Sequence, residues 1–199
     1  MITLRSSCIT ALLAVSLISP ALAAPPKASG LLSWRGPDQN GVLPGVGYPE
    51  SWAQDGENHL WTYKVKGGGT PVIANGKLYT FGYYDNPKDL SEVQESLICL
   101  DAETGALVWE HPFSDYISDV VYNRYGVGSP IVDAETGNVY LQGSNGRLMA
   151  FTADGNALWE HSLIEKLARL TFPNGRTGSL GLDGPVVIAH IVTANWGTT

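Results

Sequence analysis

The chain has 199 residues, with 19 acidic against 12 basic side chains and a net charge of −7. That balance lacks the basic stripe that neutralises phosphates and so excludes an ordinary nucleic-acid binder. Hydrophobic residues at 44% and charged residues at 16% make a globular chain, and its 23 Gly, 12 Pro, 6 Trp and 9 Tyr favour an all-β fold with many tight turns.

Residues 1–23 read as a signal peptide. Arg5 supplies the positive start, residues 9–18 are mostly apolar, Pro20 breaks the run, and Ala21-Leu22-Ala23 offers a small-x-small cleavage site. The alternative, a membrane anchor, needs about 20 apolar residues, more than are present. Cys8 precedes the apolar run, whereas a lipidated cysteine would follow it. Cleavage after Ala23 leaves 176 residues with Cys99 as the one cysteine, so no internal disulfide is expected. The export signal serves periplasm and extracellular space alike, and no later segment is apolar enough to span a membrane.

Residues 24–58 form an entry segment, and from residue 59 the chain repeats. Trp61, Trp109 and Trp159 are spaced by 48 and 50 residues. Each is followed by a glycine–proline step: Gly69-Thr70-Pro71, Gly128-Ser129-Pro130 and Gly184-Pro185, whose prolines are spaced by 59 and 55. After the first step, Val72-Ile73-Ala74 turns through Asn75-Gly76 into Lys77-Leu78-Tyr79-Thr80. Asn-Gly between apolar runs predicts a type I′ hairpin, which needs positive φ at both central residues. After the second step, Ile131-Val132 returns as Asn138-Val139-Tyr140-Leu141.

A second hairpin follows in each unit. Leu97-Ile98-Cys99-Leu100 returns as Ala106-Leu107-Val108-Trp109, and Leu148-Met149-Ala150-Phe151 returns as Ala157-Leu158-Trp159. Four short strands repeated every 40–50 residues or so predict propeller blades. Asp-Ala-Glu-Thr-Gly occurs at residues 101–105 and 133–137, but the offset of 32 is not the repeat period. The same turn chemistry is used once between the last two strands of a unit and once between the first two.

The run from Leu97 through Asp101, Thr104 and Gly105 to Trp109 resembles the PQQ-like β-propeller repeat, with Ser96 in place of the leading Gly. Gly146-Arg147-Leu148 through Gly155 to Trp159 resembles it with one residue deleted and Thr152 in place of the Asp. Trp34-Arg35-Gly36-Pro37-Asp38-Gln39-Asn40-Gly41 is similar to the entry segment of exported members, so the resemblance covers residues 33–199. It implies an all-β propeller of four-stranded antiparallel blades, here incomplete at about three and a half of the 4 to 8 that close a ring. A missing C-terminal half, or self-pairing with a second copy, would complete it. Trp61, Gly105, Trp109, Gly155 and Trp159 are the expected structural residues, the Gly of the preceding turn leaving space beside the Trp that closes the outer strand, a pair that can dock one blade on the next.

The family includes quinoprotein dehydrogenases and non-catalytic assembly lipoproteins. A dehydrogenase would hold pyrroloquinoline quinone with Ca²⁺, and would need an aromatic stack and a carboxylate base. Adjacent cysteines and a Cys-x-x-Cys-His haem site, found in many such enzymes, do not occur here. The reading is therefore an exported binding scaffold, taking a protein partner or small ligand, with a PQQ-dependent dehydrogenase as the alternative. Carbohydrate-active and lyase propellers have no residue here in their favour.

No catalytic or metal-binding residue is assigned. Glu110-His111 and Glu160-His161 recur at the blade period as exposed residues leaving an outer strand, and His59 and His190 lack sequence partners. Asp101 and Glu103 belong to a turn rather than a Ca²⁺ loop, and Cys99 to a buried strand. Residues 85–95 form an acidic insertion expected as a solvated loop or short helix. The long loops 112–127 and 162–183 lead into inner strands and so rim the channel, which makes Arg124, Tyr125 and Arg176 the candidate ligand-binding residues, suited to an anionic or planar ligand.

Overall fold

The computed structural model describes residues 27–86, 89–113, 125–144, 146–167 and 178–190. Strands β1 (Gly30–Leu31), β2 (Val72–Ala74), β3 (Lys77–Asn86), β4 (Asp89–Asp101) and β5 (Leu107–Phe113) form one antiparallel sheet in that order. Strands β6 (Ile131–Val132), β7 (Val139–Gln142), β8 (Arg147–Phe151) and β9 (Ala157–Ser162) form a second. A single helical turn, α1 (Leu163–Leu167), follows, and β10 (Gly181–Asp183) pairs with β11 (Val186–Ile188) in a third hairpin. The chain is thus all-β in architecture, with two complete four-stranded blades and the opening hairpin of another among the described residues.

The turns form where their residues demand them. Asn75 (φ 49°) and Gly76 (φ 77°) make the type I′ hairpin between β2 and β3. The repeated Asp-Ala-Glu-Thr-Gly joins β4 to β5 once and β6 to β7 once, as expected. In the first copy Asp101 Oδ1 accepts hydrogen bonds from Thr104 N–H (2.8 Å) and Thr104 O–H (2.7 Å), which hold its carboxyl below the usual carboxylate range. In both copies the closing glycine donates its N–H to the Asp carbonyl, Gly105 at 2.9 Å and Gly137 at 2.8 Å.

Period-two alternation gives each blade two faces. Tyr79, Phe81, Leu97, Cys99 and Phe113 of the first sheet bury against Val132, Val139, Leu141, Met149 and Phe151 of the second. The other face of the second sheet, with Ile131 and Leu148, packs on Leu163, Leu180, Leu182 and Val187. Leu107 is 52% exposed on the outer strand, where a bulge at Cys99/Leu100 shifts the β4–β5 register.

Trp61 and Trp109 dock on the glycine turn of the following unit, and not, as expected, on the turn glycine that precedes each Trp within its own unit. A Cβ on Gly105 would meet Trp61 Cδ2 at 2.5 Å, and a Cβ on Gly155 would meet Trp109 Cδ2 at 2.8 Å. The indole N–H groups donate to the same turns, Trp61 to Ala102 O (3.2 Å) and Trp109 to Ala153 O (3.1 Å). Tyr79 backs Trp109 and Tyr140 backs Trp159, both at 5.8 Å between ring centroids.

Four local expectations are corrected. Residues 85–86 and 89–95 are neither a solvated loop nor a short helix: they extend strands β3 and β4, and Glu95 is 0% exposed. Trp61, expected within a strand before Gly69, lies outside any strand, and its segment touches the sheet through the isolated Lys66–Tyr83 bridge. His111 is not a free exposed residue: its ring packs at a tilt on Phe151 (4.6 Å between centroids) and its Nε2–H donates to Gly155 O (2.5 Å). Gly184-Pro185 is the β10–β11 turn, and Gly178-Ser179-Leu180 takes the place of the glycine–proline step.

Candidate functional site

The repeated steps before β2, β6 and β10 come together on one side of the fold. Thr70 N–H donates to Ser129 Oγ (2.8 Å), and Ser129 N–H donates to Ser179 Oγ (3.1 Å). Each unit's hydroxyl therefore receives the preceding unit's backbone, and Ser129 and Ser179 keep their own hydroxyl hydrogens to donate. Glycine lets the steps approach closely, since a Cβ on Gly69 would collide with Gly128 O.

The entry segment runs along these inner strands. β1 pairs with β2, Ala28 N–H donates to Ala134 O (2.7 Å), and Val132 N–H donates to Leu32 O (2.9 Å). Residues 28–32 thus bond to the inner strands of both complete blades. The segment then turns on Ser33, whose buried hydroxyl donates to Gly36 O (2.8 Å), and this places Trp34 beside the glycine–hydroxyl steps.

The result is a cavity of about 380 Å³ lined by Trp34, Gly68, Thr70, Val127, Ser129, Gly178, Ser179 and His190. Its size falls within the range of small-ligand sites. Trp34 is 48% exposed, and the Arg35 guanidinium sits 5.5 Å from its ring centroid. The site offers an aromatic face, hydroxyl donors and a cation–π pair, a chemistry of binding by stacking and hydrogen bonding.

One buried carboxylate stands behind this mouth. Glu95 Oε1 accepts from Gly126 N–H (2.9 Å) and Ser144 O–H (2.5 Å), and Oε2 accepts from Ser144 N–H (3.1 Å). Burial pushes its pKa up, against the lowering effect of these bonds. Among the described residues, no group of three or more His, Cys, Asp or Glu is arranged to hold a metal ion, and no helix is long and apolar enough to cross a membrane.

Of the residues expected at the channel rim, Arg124 and Arg176 lie outside the described residues. Tyr125 is 5% exposed and packs on Tyr83 (5.4 Å between centroids) beside Val93. Sequence reasoning missed Trp34, Thr70, Ser129, Ser179 and Glu95 as a group. The glycine–hydroxyl step was the available signal, but attention fell on its proline.

The sequence pattern of the family described as outer membrane protein assembly factor BamB matches residues 50–189. No curated protein matches the chain. Among solved structures, the chain is similar to a quinohemoprotein alcohol dehydrogenase from Comamonas testosteroni, at 24% identity and a TM-score of 0.33. The match covers 51% of this chain and 14% of that enzyme.

Proposed function

The chain belongs to the PQQ-like β-propeller repeat family, and from that membership we propose that it is an exported binding scaffold whose channel mouth receives a segment of a partner protein. The observation that carries this reading is the half-exposed Trp34 standing over a cavity walled by three successive glycine–hydroxyl steps. An aromatic platform beside hydroxyl donors suits a segment that presents an apolar side chain flanked by carbonyl oxygens. The family's description as an assembly factor favours a protein partner over a small molecule. The signal-peptide pattern of residues 1–23 supports a partner outside the cytoplasm.

A photo-reactive phenylalanine analogue at position 34, in the protein expressed in an exporting host, tests the reading. It should give a discrete protein adduct that the cavity-filling Ser129→Phe abolishes. An absent adduct, or one indifferent to the filled cavity, would refute the site.

The alternative is a PQQ-dependent dehydrogenase. Its quinone would need a flat aromatic stack, a Ca²⁺ donor set and a carboxylate base. The described residues do not fit that group. Glu95, their one buried carboxylate, has both oxygens engaged by Gly126 and Ser144, and Trp34 is the one aromatic residue lining the channel-mouth cavity.

A further inference from the structure

We infer that Glu95 is the positioning residue of the channel mouth, acting through Gly126 on Gly68 and Gly69. The inference rests on reading that mouth as the binding site.

The connection is a chain of hydrogen bonds. Glu95 Oε1 accepts the Gly126 N–H at 2.9 Å. The Gly126 carbonyl then accepts two backbone donors, Gly68 N–H at 2.9 Å and Gly69 N–H at 3.0 Å. Gly68 lines the cavity, and Thr70, two residues on, donates to Ser129 on the opposite wall. The conformation of one buried residue, Gly126, thus sets where two walls of the cavity stand.

Position 126 leaves little freedom to do this otherwise. Gly126 has φ 59°, and a Cβ there would lie 2.9 Å from Gly82 Cα. Gly126 is wedged between the β3 backbone and the carboxylate. All three groups aimed at Glu95 are donors, from Gly126 N, Ser144 N and Ser144 Oγ. A carboxylate, which only accepts, satisfies all three. A glutamine would turn an amide N–H₂ toward one of them, and an aspartate would fall one methylene short.

A residue that merely filled the core would not discriminate among distant amides, so the test reads amide exchange residue by residue. The folded protein carrying Glu95→Gln should exchange Gly126, Gly68 and Gly69 about tenfold faster, the scale of one lost charge-assisted hydrogen bond. Gly105 and Gly155, whose N–H groups close outer turns, should keep their wild-type rates. Ser144→Ala removes one donor and leaves no mismatched amide, so it guards against a Gln variant that fails to fold. It should give a smaller acceleration at the same three glycines. Unchanged exchange at Gly68 and Gly69 in both variants, or equal acceleration at Gly155, would overturn the inference. An absent Trp34 adduct beside the expected exchange pattern would instead refute the binding-site reading alone.

Discussion

Trp109 lies across the face of Gly155, a residue of the next blade, so closely that a Cβ on that glycine would meet the indole Cγ at 2.9 Å and Cδ2 at 2.8 Å. The glycine also holds φ 85°, a conformation L side chains resist. Gly155→Ala should therefore cost about 2–4 kcal/mol, strain and overpacking combined. Gly137→Ala is the control, because Gly137 has φ 72° but open space where the Cβ would go. It should cost only about 1–2 kcal/mol. Denaturant titration of both variants decides, and equal losses would contradict the docking contact.

The same contact predicts a graded series at Trp109. Its indole N–H donates to Ala153 O at 3.1 Å, and its ring packs on Tyr79, Phe151 and His111. Trp109→Ala should lose about 3–5 kcal/mol. Trp109→Phe, which keeps much of the apolar area, should lose less than Ala. A Phe variant as unstable as Ala would show that packing contributes little there.

Glu95 gives stability a pH dependence of defined sign. Burial raises its folded pKa above the unfolded value. The ionised form therefore opposes folding above the folded pKa, and that penalty disappears below the unfolded pKa. Relative to Glu95→Gln, the wild type should gain stability as the pH falls from about 7 toward about 4. Paired denaturation curves across that range check it, and an opposite slope would mean that the hydrogen bonds outweigh desolvation.

Cys99 is fully buried, and burial pushes its thiol up to about 11. It should resist alkylation at neutral pH in the native protein and react at a rate set by unfolding. Rapid labelling of the folded protein would contradict its place in the core between the first two sheets.

The blades were legible because their cues are local. Asn75-Gly76 and the two Asp-Ala-Glu-Thr-Gly turns act through nearby backbone geometry, and each appears in the structure, while the tryptophans are legible by their period. The third repeat step was misplaced because Leu180 fills the proline's position while Pro185 sits in a turn. The step's invariant part is the glycine and hydroxyl, which bond across blades, and not the proline ring. Glu95 was read as solvent-facing because its neighbours in sequence are acidic and polar. Its partners Gly126 and Ser144 lie 31 and 49 residues away, and nothing in the local pattern announces them. Tyr125 was expected to face a ligand from its place in a long loop, but Tyr83 and Val93 give its ring an apolar bed.

The most direct test of the scaffold reading is equilibration of the full-length protein with PQQ and Ca²⁺, followed by removal of free quinone. The account predicts no retained quinone absorbance and no alcohol- or sugar-dependent dye reduction. Stoichiometric quinone retained with dye turnover would contradict it and make the chain part of a dehydrogenase.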